Sequence, residues 1–378
     1  MARVFPFKGL LYNKEKVDIS SVVAPPYDVI SKKEQDEYYK KNPYNIIRLI
    51  LGKEYPDDTD ENNKYTRAGK YLSLWKEQGI LEEDKSECFY LYEQEWEVGR
   101  KRGLFRGLIC SLKIEDYGKN IFPHERTLEK PKEDRLKLLY ATDTCFCYIF
   151  LVYSDKTNFI SRLNKKNLFF ECKYEKGSIK LFRIEEGMEE IKRFFLRKKF
   201  IIADGHHRYE TALKYKREQG KTKTLAIVSS IENGEFVILP AHRLLKKTPD
   251  TESINRYFKI KEGIYKEKKG MFGMVNKNGS FILTPRIKEN NNLDVEILHN
   301  ALFDGKVIEE DIDYTMDKEI AISSVSNGNY ACCFLLNPTK ISDVIKRAKK
   351  QEFMPGKATY FYPKPFCGFV LHSLRNEE

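Results

Sequence analysis

Residues 199–213, KFIIADGHHRYETAL, predict a short buried strand, a tight polar turn and a helix. The four residues before the turn are apolar, as in strands that are covered on both faces. Asp204-Gly205 has turn chemistry, because Asp accepts hydrogen bonds from nearby backbone N–H groups and Gly permits a left-handed backbone. From His206 onward the apolar positions fit a helical stripe. The stretch therefore predicts polar side chains presented at a helix N-terminus.

The chemistry of this turn suits phosphate. Free N–H groups and the dipole of a helix N-terminus attract anions. Arg208 offers a bidentate fork, and His206 and His207 offer further donors. Asp204 has the chemistry to hold a metal ion or a substrate hydroxyl. The alternative is an N-capped helix with surface histidines, but four functional groups within five residues, two of them from only six histidines in the chain, favour a site.

A second polar stretch, His124-Glu125-Arg126-Thr127, follows a helix-breaking proline. A glutamate between cations could serve as a general base, while its neighbours bind anions. A solvated loop of salt bridges explains the same residues equally well. The stretch is not the zinc-protease helix signature, because the second histidine of that signature is absent.

Two later segments also carry candidate residues. Lys357 and Lys364 flank an aromatic, proline-rich stretch that we expect to pack back onto the body of the protein and to bring positive charge to the site. Aromatic and basic residues together also suit stacking on nucleotide bases, and a packed tail with solvated lysines is the alternative. Arg243, in Pro240-Ala-His-Arg, is a weaker candidate for substrate binding.

Composition limits the classes of protein that remain. A chain of 378 residues has room for two or three domains, and we predict an N-terminal α/β region over 1–110, a catalytic core over 111–245 and a C-terminal α/β region over 246–378. The net charge of +11 fits either an ordinary lysine-rich surface or a basic surface that gathers anionic ligands such as nucleic acid or phosphorylated metabolites. The basic residues interleave with 56 acidic ones, so nucleic acid is the second choice of partner.

The cysteine pattern predicts a reduced protein. The spacing of the eight cysteines fits no zinc site, and several lie in apolar, strand-like stretches, so we expect buried free thiols rather than disulfides. The N-terminus has no apolar signal segment, and no run approaches the length of a membrane span. Together these features predict a cytoplasmic location without membrane contact.

Two further predictions are local. Residues 46–51 are predicted to form a strand after the turn at Asn42-Pro43. Residues 224–230 and 236–240 are predicted to pair as a hairpin, because Asn233-Gly234 between them is a strong turn signal.

The motifs together resemble a known family. Ala203-Asp-Gly-His-His-Arg208 resembles the Asp-Gly-His-His-Arg motif of the ParB/sulfiredoxin-like fold, which includes ParB nucleotide switches, sulfiredoxin and free serine kinases. The wider set is similar to one long bacterial family whose members with an assigned role are pyrophosphate-dependent serine kinases. That set comprises VAPPYDVI from Val23, HERT from His124, PAHR from Pro240 and MPGKATYFYPK from Met354. The resemblance spans nearly the whole chain and implies a mixed α/β protein with a ParB/sulfiredoxin-like catalytic core between N-terminal and C-terminal flanking domains.

The resemblance also implies a reaction. Pyrophosphate and L-serine would give O-phospho-L-serine and phosphate, with Mg²⁺ as the cofactor, and would feed cysteine synthesis. By motif, Asp204 would act at the reacting centre and hold the metal, and Glu125 matches a catalytic glutamate. The donor phosphates would be bound by His206, His207, Arg208 and Lys364. Weaker substrate contacts would come from His124, Thr127, Arg243 and Lys357.

Two other functions stay open. One is a serine kinase that uses ADP or ATP, although no adenine slot is identifiable in the sequence. The other is a ParB-like nucleotide or DNA-binding protein without catalysis, which the positive charge favours and the missing helix-turn-helix signal opposes. The chain lacks the Gly-rich phosphate loop ending in Gly-Lys-Ser/Thr, protein-kinase signatures and a nucleophile-elbow serine. Oligomeric state is not determined by these features.

Overall fold

The chain has a mixed α/β architecture, as predicted, in a computed structural model that describes residues 3–232, 235–287, 292–304, 307 and 311–375. The helices in these ranges are α1 (Ile19–Val22), α2 (Lys32–Lys41), α3 (Ile47–Ile50), α4 (Lys64–Glu77), α5 (Glu129–Thr142), α6 (Met188–Phe195), α7 (His206–Gln219), α8 (Thr251–Tyr257), α9 (Asp294–Asp304), α10 (Lys318–Ser326) and α11 (Ile341–Lys350). None of these helices is long and apolar enough to cross a membrane.

The strands of the described ranges occur both in consecutive runs and between helices. They are β1 (Val4–Phe5), β2 (Leu10–Tyr12), β3 (Leu81–Glu83), β4 (Phe89–Val98), β5 (Lys101–Lys113), β6 (Ile121–Phe122), β7 (Thr144–Cys145), β8 (Ile149–Tyr153), β9 (Asn167–Tyr174), β10 (Gly177–Ile184), β11 (Phe200–Asp204), β12 (Lys223–Ser230), β13 (Val237–Leu239), β14 (His242–Leu245), β15 (Phe258–Glu262), β16 (Phe272–Asn276), β17 (Gly279–Pro285), β18 (Ile312–Thr315), β19 (Cys332–Leu335), β20 (Tyr360–Tyr362) and β21 (His372–Ser373).

The first of two compact units comprises Met1–Pro123, Thr127–Phe236 and Pro363–Glu378. Its main sheet has the order β6-β11-β8-β12-β5-β4-β10-β9, and β1 adds to β5. Most pairs are antiparallel, but β11 runs parallel to β6 and β12 runs parallel to β8. Phe200 and Ile202 of β11 have no exposed surface and lie in the core, so the apolar run before the turn is a buried strand, as predicted.

The second unit comprises His124–Arg126 and Val237–Tyr362. Its main sheet is antiparallel, with the order β15-β17-β16-β19-β14-β18. A smaller antiparallel pair joins β13 to β20. The division of the chain over 1–110, 111–245 and 246–378, and the ParB/sulfiredoxin-like nature of the core, stay predictions.

The expectation that all cysteines are free thiols is wrong for one pair. Cys147 and Cys367 form a disulfide, with Cα atoms 4.9 Å apart across a sequence separation of 220. The backbone of Cys367 pairs with that of Ala24, and this pairing fixes the path of the C-terminal segment. The remaining cysteines are buried thiols. The spacing of cysteines in the sequence does not predict a contact between segments this far apart. The cytoplasmic location stays a prediction.

The local prediction for residues 46–51 is also wrong, because α3 occupies this stretch. The Asn45 side chain accepts a hydrogen bond from the N–H of Ile47 at 2.9 Å and so starts the helical turn. The isoleucines at both ends of α3 are almost fully buried. A short run that is apolar throughout has no periodicity that separates a buried strand from a buried helix.

The predicted hairpin does not form between its two strands. Instead, β12 lies between β5 and β8, and β13 pairs with β20. The turn residues 233–234 lie outside the described residues. β12 has no free edge for β13, because β5 and β8 already pair with its two edges in the main sheet of the first unit.

Candidate functional site

The candidate site in the first unit is built on the junction of β11 and α7. Asp204 ends the strand, Gly205 has a φ of 89° and α7 begins at His206. A Cβ on Gly205 would lie 3.1 Å from the guanidinium carbon of Arg208, and the left-handed φ is itself strained for other residues. Glycine therefore lets the chain turn sharply enough to place Asp204 beside the first turn of the helix.

Asp204 lies between two cations. One carboxylate oxygen, Oδ2, accepts a hydrogen bond from Arg208 Nη2 at 2.6 Å, and Oδ1 contacts Nζ of Lys364. The side chains of Asp204, Arg208 and Lys364 are 16%, 11% and 10% exposed. Lys364 lies 160 positions further along the chain, so the C-terminal segment contributes directly to this site. These contacts bring Asp204, Arg208 and Lys364 together, and their roles in binding or catalysis stay predictions.

Arg208 is held rigidly. Its Nη1 donates to the backbone carbonyl of Tyr148, while Nη2 donates to Asp204. Burial is the largest single influence and lowers the pKa of Arg208, but the charges of Asp204, Asp28 and Tyr27 together outweigh it and raise the pKa above its usual value. The guanidinium is therefore a permanent positive charge with a fixed orientation, which is the state that suits phosphate recognition.

The two histidines at the start of α7 have different surroundings. His206 is only 6% exposed. His207 Nε2 accepts a hydrogen bond from the backbone N–H of Leu128 at 2.9 Å, which leaves Nδ1 to carry the proton of a neutral ring. Nearby, the Thr127 hydroxyl donates to Glu210 at 2.6 Å. His207 and Thr127 thus tie the start of α5 to the first turns of α7.

Two cavities adjoin this junction. A cavity of about 50 Å³ is lined by Arg208, Arg135, Tyr27 and mainly apolar residues. The Arg135 guanidinium lies 4.0 Å from the centre of the Tyr27 ring, and burial raises the pKa of Tyr27 to about 12. A larger groove of about 480 Å³ runs beside α5 and α7 and includes Lys132 and Glu210, which form an ion pair at 3.2 Å.

The second unit holds the other predicted residues. His124 is buried, and its Nε2 lies 2.9 Å from the Thr359 hydroxyl. Glu125 Oε1 accepts a hydrogen bond from the backbone N–H of Lys357 at 3.2 Å, and the Glu125 backbone forms a parallel bridge with Met354. The predicted HERT and MPGKAT motifs are therefore in direct contact, although 232 positions separate Glu125 from Lys357.

Arg243 is 1% exposed. It donates to the carbonyls of Ala241 and Lys357 and to the ring of His299. Sequence reasoning did not single out His299, Thr359 or the Tyr148 carbonyl. No signal in the sequence marks them, because each acts through a contact between distant segments.

A metal site is not preformed in the described ranges, where no group of three or more His, Cys, Asp or Glu residues converges. Mg²⁺ usually keeps several waters and binds through one or two carboxylates together with substrate phosphates. Asp204 fits that pattern only as a single carboxylate, and both of its oxygens already contact cations. The residues present therefore fit an ion that arrives with a phosphate substrate rather than one held in a protein cage.

Comparison with known proteins places the chain in a family. Residues 4–302 match the model of the family described as "Protein of unknown function (DUF1015)". This match covers more than half of the sequence, so the chain belongs to that family. No curated protein matches the sequence.

The chain is similar to several solved structures at low identity. A conserved hypothetical protein from Pyrococcus furiosus is 15% identical, with 70% of this chain and 98% of that chain covered and a TM-score of 0.41. A free serine kinase in complex with AMP is 14% identical, with 68% and 93% covered and a TM-score of 0.42. SbnI with a C-terminal truncation, from Staphylococcus aureus, is 13% identical, with 70% and 89% covered and a TM-score of 0.42. Similarity at this level does not define the function of the chain.

Proposed function

We propose that the protein is a phosphotransferase that moves a phosphoryl group from pyrophosphate to free L-serine, giving O-phospho-L-serine and phosphate. The observation that carries this proposal is the cluster of Asp204, Arg208 and Lys364 at the N-terminus of α7. One carboxylate between two cations leaves a net positive charge, to which the dipole of the N-terminus of α7 adds. Such a site attracts an oxyanion and is compact.

The size of the neighbouring cavity supports a donor without a base. An apolar cavity of about 150 Å³ accommodates benzene. The cavity that Arg208 lines has only about 50 Å³, which is too small for the larger adenine ring, and Arg208 does not line the groove of about 480 Å³ beside α5 and α7. Pyrophosphate needs charge neutralisation and positioning but no pocket for a base.

The proposed roles follow from chemistry and position. Arg208 and Lys364 would neutralise the donor phosphates, with His206 and His207 assisting at the start of α7. Asp204 would orient these cations and bind at the reacting centre. Mg²⁺ would enter with pyrophosphate as part of the substrate, and Asp204 would be its one protein carboxylate.

In the proposed step the serine hydroxyl oxygen forms a bond to one phosphorus atom, and the bond from that phosphorus to the bridging oxygen breaks. Glu125 would accept the hydroxyl proton, because a serine hydroxyl is a weak nucleophile that needs a general base. The departing phosphate keeps the electron pair of the broken bond, and Arg208 and Lys364 would stabilise its charge. His124, Thr127 and Lys357 would contribute weaker substrate contacts.

The test is phosphate release from pyrophosphate and Mg²⁺, with and without L-serine, together with detection of phosphoserine by mass. Serine-dependent release with phosphoserine formed is the expected result. Phosphate release only with ADP or ATP would show that a nucleotide, and not pyrophosphate, is the donor. No phosphate release with any of the three donors would overturn the kinase proposal in favour of a binding protein. A matched control for Asp204→Asn is Asp116→Asn, since Asp116 is 72% exposed and pairs with Arg217 only at 3.7 Å.

A further inference from the structure

A continuous set of hydrogen bonds in the second unit ends at Glu125. Glu125 Oε1 accepts from the Lys357 N–H at 3.2 Å, and the Lys357 carbonyl accepts from Arg243 Nη2 at 3.2 Å. Arg243 in turn uses both Nε and Nη2 to contact His299 Nε2, each at 3.2 Å. The two peptide groups that flank Lys357 therefore face Glu125 on one side and Arg243 on the other.

The protonation state of His299 is defined by these contacts. Arginine can only donate, so His299 Nε2 must accept and the ring must be neutral, with its proton on Nδ1. His299 and Arg243 are 2% and 1% exposed, and water does not substitute for either partner. The neutral imidazole thus fixes the plane of the buried guanidinium, and with it the direction of the donor toward Lys357.

Lys357 itself has an unusual backbone conformation. Its φ of 55° lies in the left-handed region, which is uncommon for a residue with a Cβ and costs on the order of 1 kcal/mol. Neighbouring bonds hold this segment: the Met354 N–H donates to the His124 carbonyl at 2.8 Å, and Thr339 donates to the Ala358 carbonyl at 2.8 Å. A strained backbone conformation that neighbouring hydrogen bonds stabilise is typical of residues with a functional role.

We infer that His299 and Arg243 are positioning residues that orient Glu125 through the backbone of Lys357. This inference rests on the proposed function, in which Glu125 accepts the serine proton. Arg243 acts in this arrangement from inside the unit and not by touching substrate. Because a shift of a reacting group by about 1 Å can cost roughly 100-fold in rate, loss of this alignment should reduce kcat while leaving the KM for pyrophosphate nearly unchanged.

The first measurement is amide hydrogen exchange over residues 353–360 in His299→Leu and in the milder Arg243→Lys. Both variants should reduce protection of the Lys357 N–H, and His299→Gln, which keeps an acceptor, should restore much of it. The matched control is His242→Leu. His242 is a buried histidine of the same unit, and its Nδ1 accepts from the Leu336 N–H at 3.2 Å rather than from Arg243 or Lys357.

The second measurement is a double-mutant cycle in the serine-dependent assay. On its own, His299→Leu should lower kcat roughly 10- to 100-fold. Combined with Glu125→Gln, it should add almost nothing, because its effect acts through the same carboxylate. A general structural defect would lower kcat in both backgrounds alike, and that result would overturn the inference.

The two proposals fail in distinguishable ways. A wild-type protein that makes no phosphoserine would remove the proposed reaction, but the exchange experiment would still report whether His299 and Arg243 control the Lys357 N–H. Unchanged protection at Lys357 in both variants would overturn the positioning inference whether or not the protein turns over pyrophosphate.

Discussion

Replacing Asp204 with Asn tests the centre of the site most directly. The substitution keeps the shape of the side chain and removes its charge, so Arg208 and Lys364 lose their shared carboxylate. Removing one partner of a buried ion pair costs about 3–5 kcal/mol. Asp204 is 16% exposed and the amide oxygen can still accept one hydrogen bond, so we expect a loss of about 2–3 kcal/mol. At about 2–4 °C per kcal/mol, the melting temperature should fall by roughly 4–12 °C.

The double variant Asp204→Asn with Lys364→Met distinguishes the effect of Asp204 on stability from its effect on catalysis. Removing the second cation relieves the repulsion that Asp204→Asn creates, so the double variant should be more stable than the single one. Phosphate release should stay absent in both, because neither the carboxylate nor the full positive charge is restored. Thermal unfolding and the serine-dependent assay measure the two effects. An Asp204→Asn protein with wild-type melting temperature and full turnover would refute both the ion-pair argument and the site.

Three further predictions concern other parts of the chain. Glu125→Gln should lower turnover by about 100- to 10,000-fold with little change in melting temperature, and unaltered turnover would exclude Glu125 as the base. Burial lowers the pKa of His242 to about 4 and that of His299 to about 3, with a nearby guanidinium as the second cause in each case. As the pH falls, these histidines take up protons in the unfolded chain before they do so in the folded protein. The free energy of unfolding should therefore be highest above about pH 6.5 and should decrease toward about pH 4, by up to roughly 1.4 kcal/mol per pH unit for each histidine. Urea unfolding at about pH 7 and about pH 5 measures this loss, and His242→Asn should flatten the profile. Reduction of the Cys147–Cys367 disulfide should cost about 2–4 kcal/mol, and a melting temperature that is unaffected by reductant would show that the bond does not contribute.

Local sequence rules predicted the centre of the site well. The apolar run, the Asp204-Gly205 turn and the helix from His206 all lie where the pattern places them. These features depend on neighbouring residues: an apolar run that needs burial, a glycine that tolerates a φ of 89°, and a helix that begins directly after that glycine. A capping box at the start of α2 is equally local, because Ser31 and Glu34 lie three residues apart in the sequence.

Contacts between segments that are distant in the sequence depend on tertiary packing and not on local sequence rules. Lys364 meets Asp204 across 160 positions, Cys147 meets Cys367 across 220, and the Lys357 N–H meets Glu125 across 232. Hydrophobic periodicity does not encode which segments become neighbours, since that depends on the packing of whole sheets and helices. The misassigned strand over 46–51 has the same cause, because burial on all sides removed the periodic signal.

The sequence by itself therefore determined the kind of chemistry at the turn: an acidic residue, two imidazoles and a guanidinium at a helix N-terminus. The tertiary structure decided how that chemistry is held. It pairs Asp204 with Lys364 and buries Arg243 against His299, because desolvated charges are stable only where the folded chain supplies a partner. Local bonds act between neighbours in the sequence, whereas the orientation of these charged groups arises only when remote segments pack together.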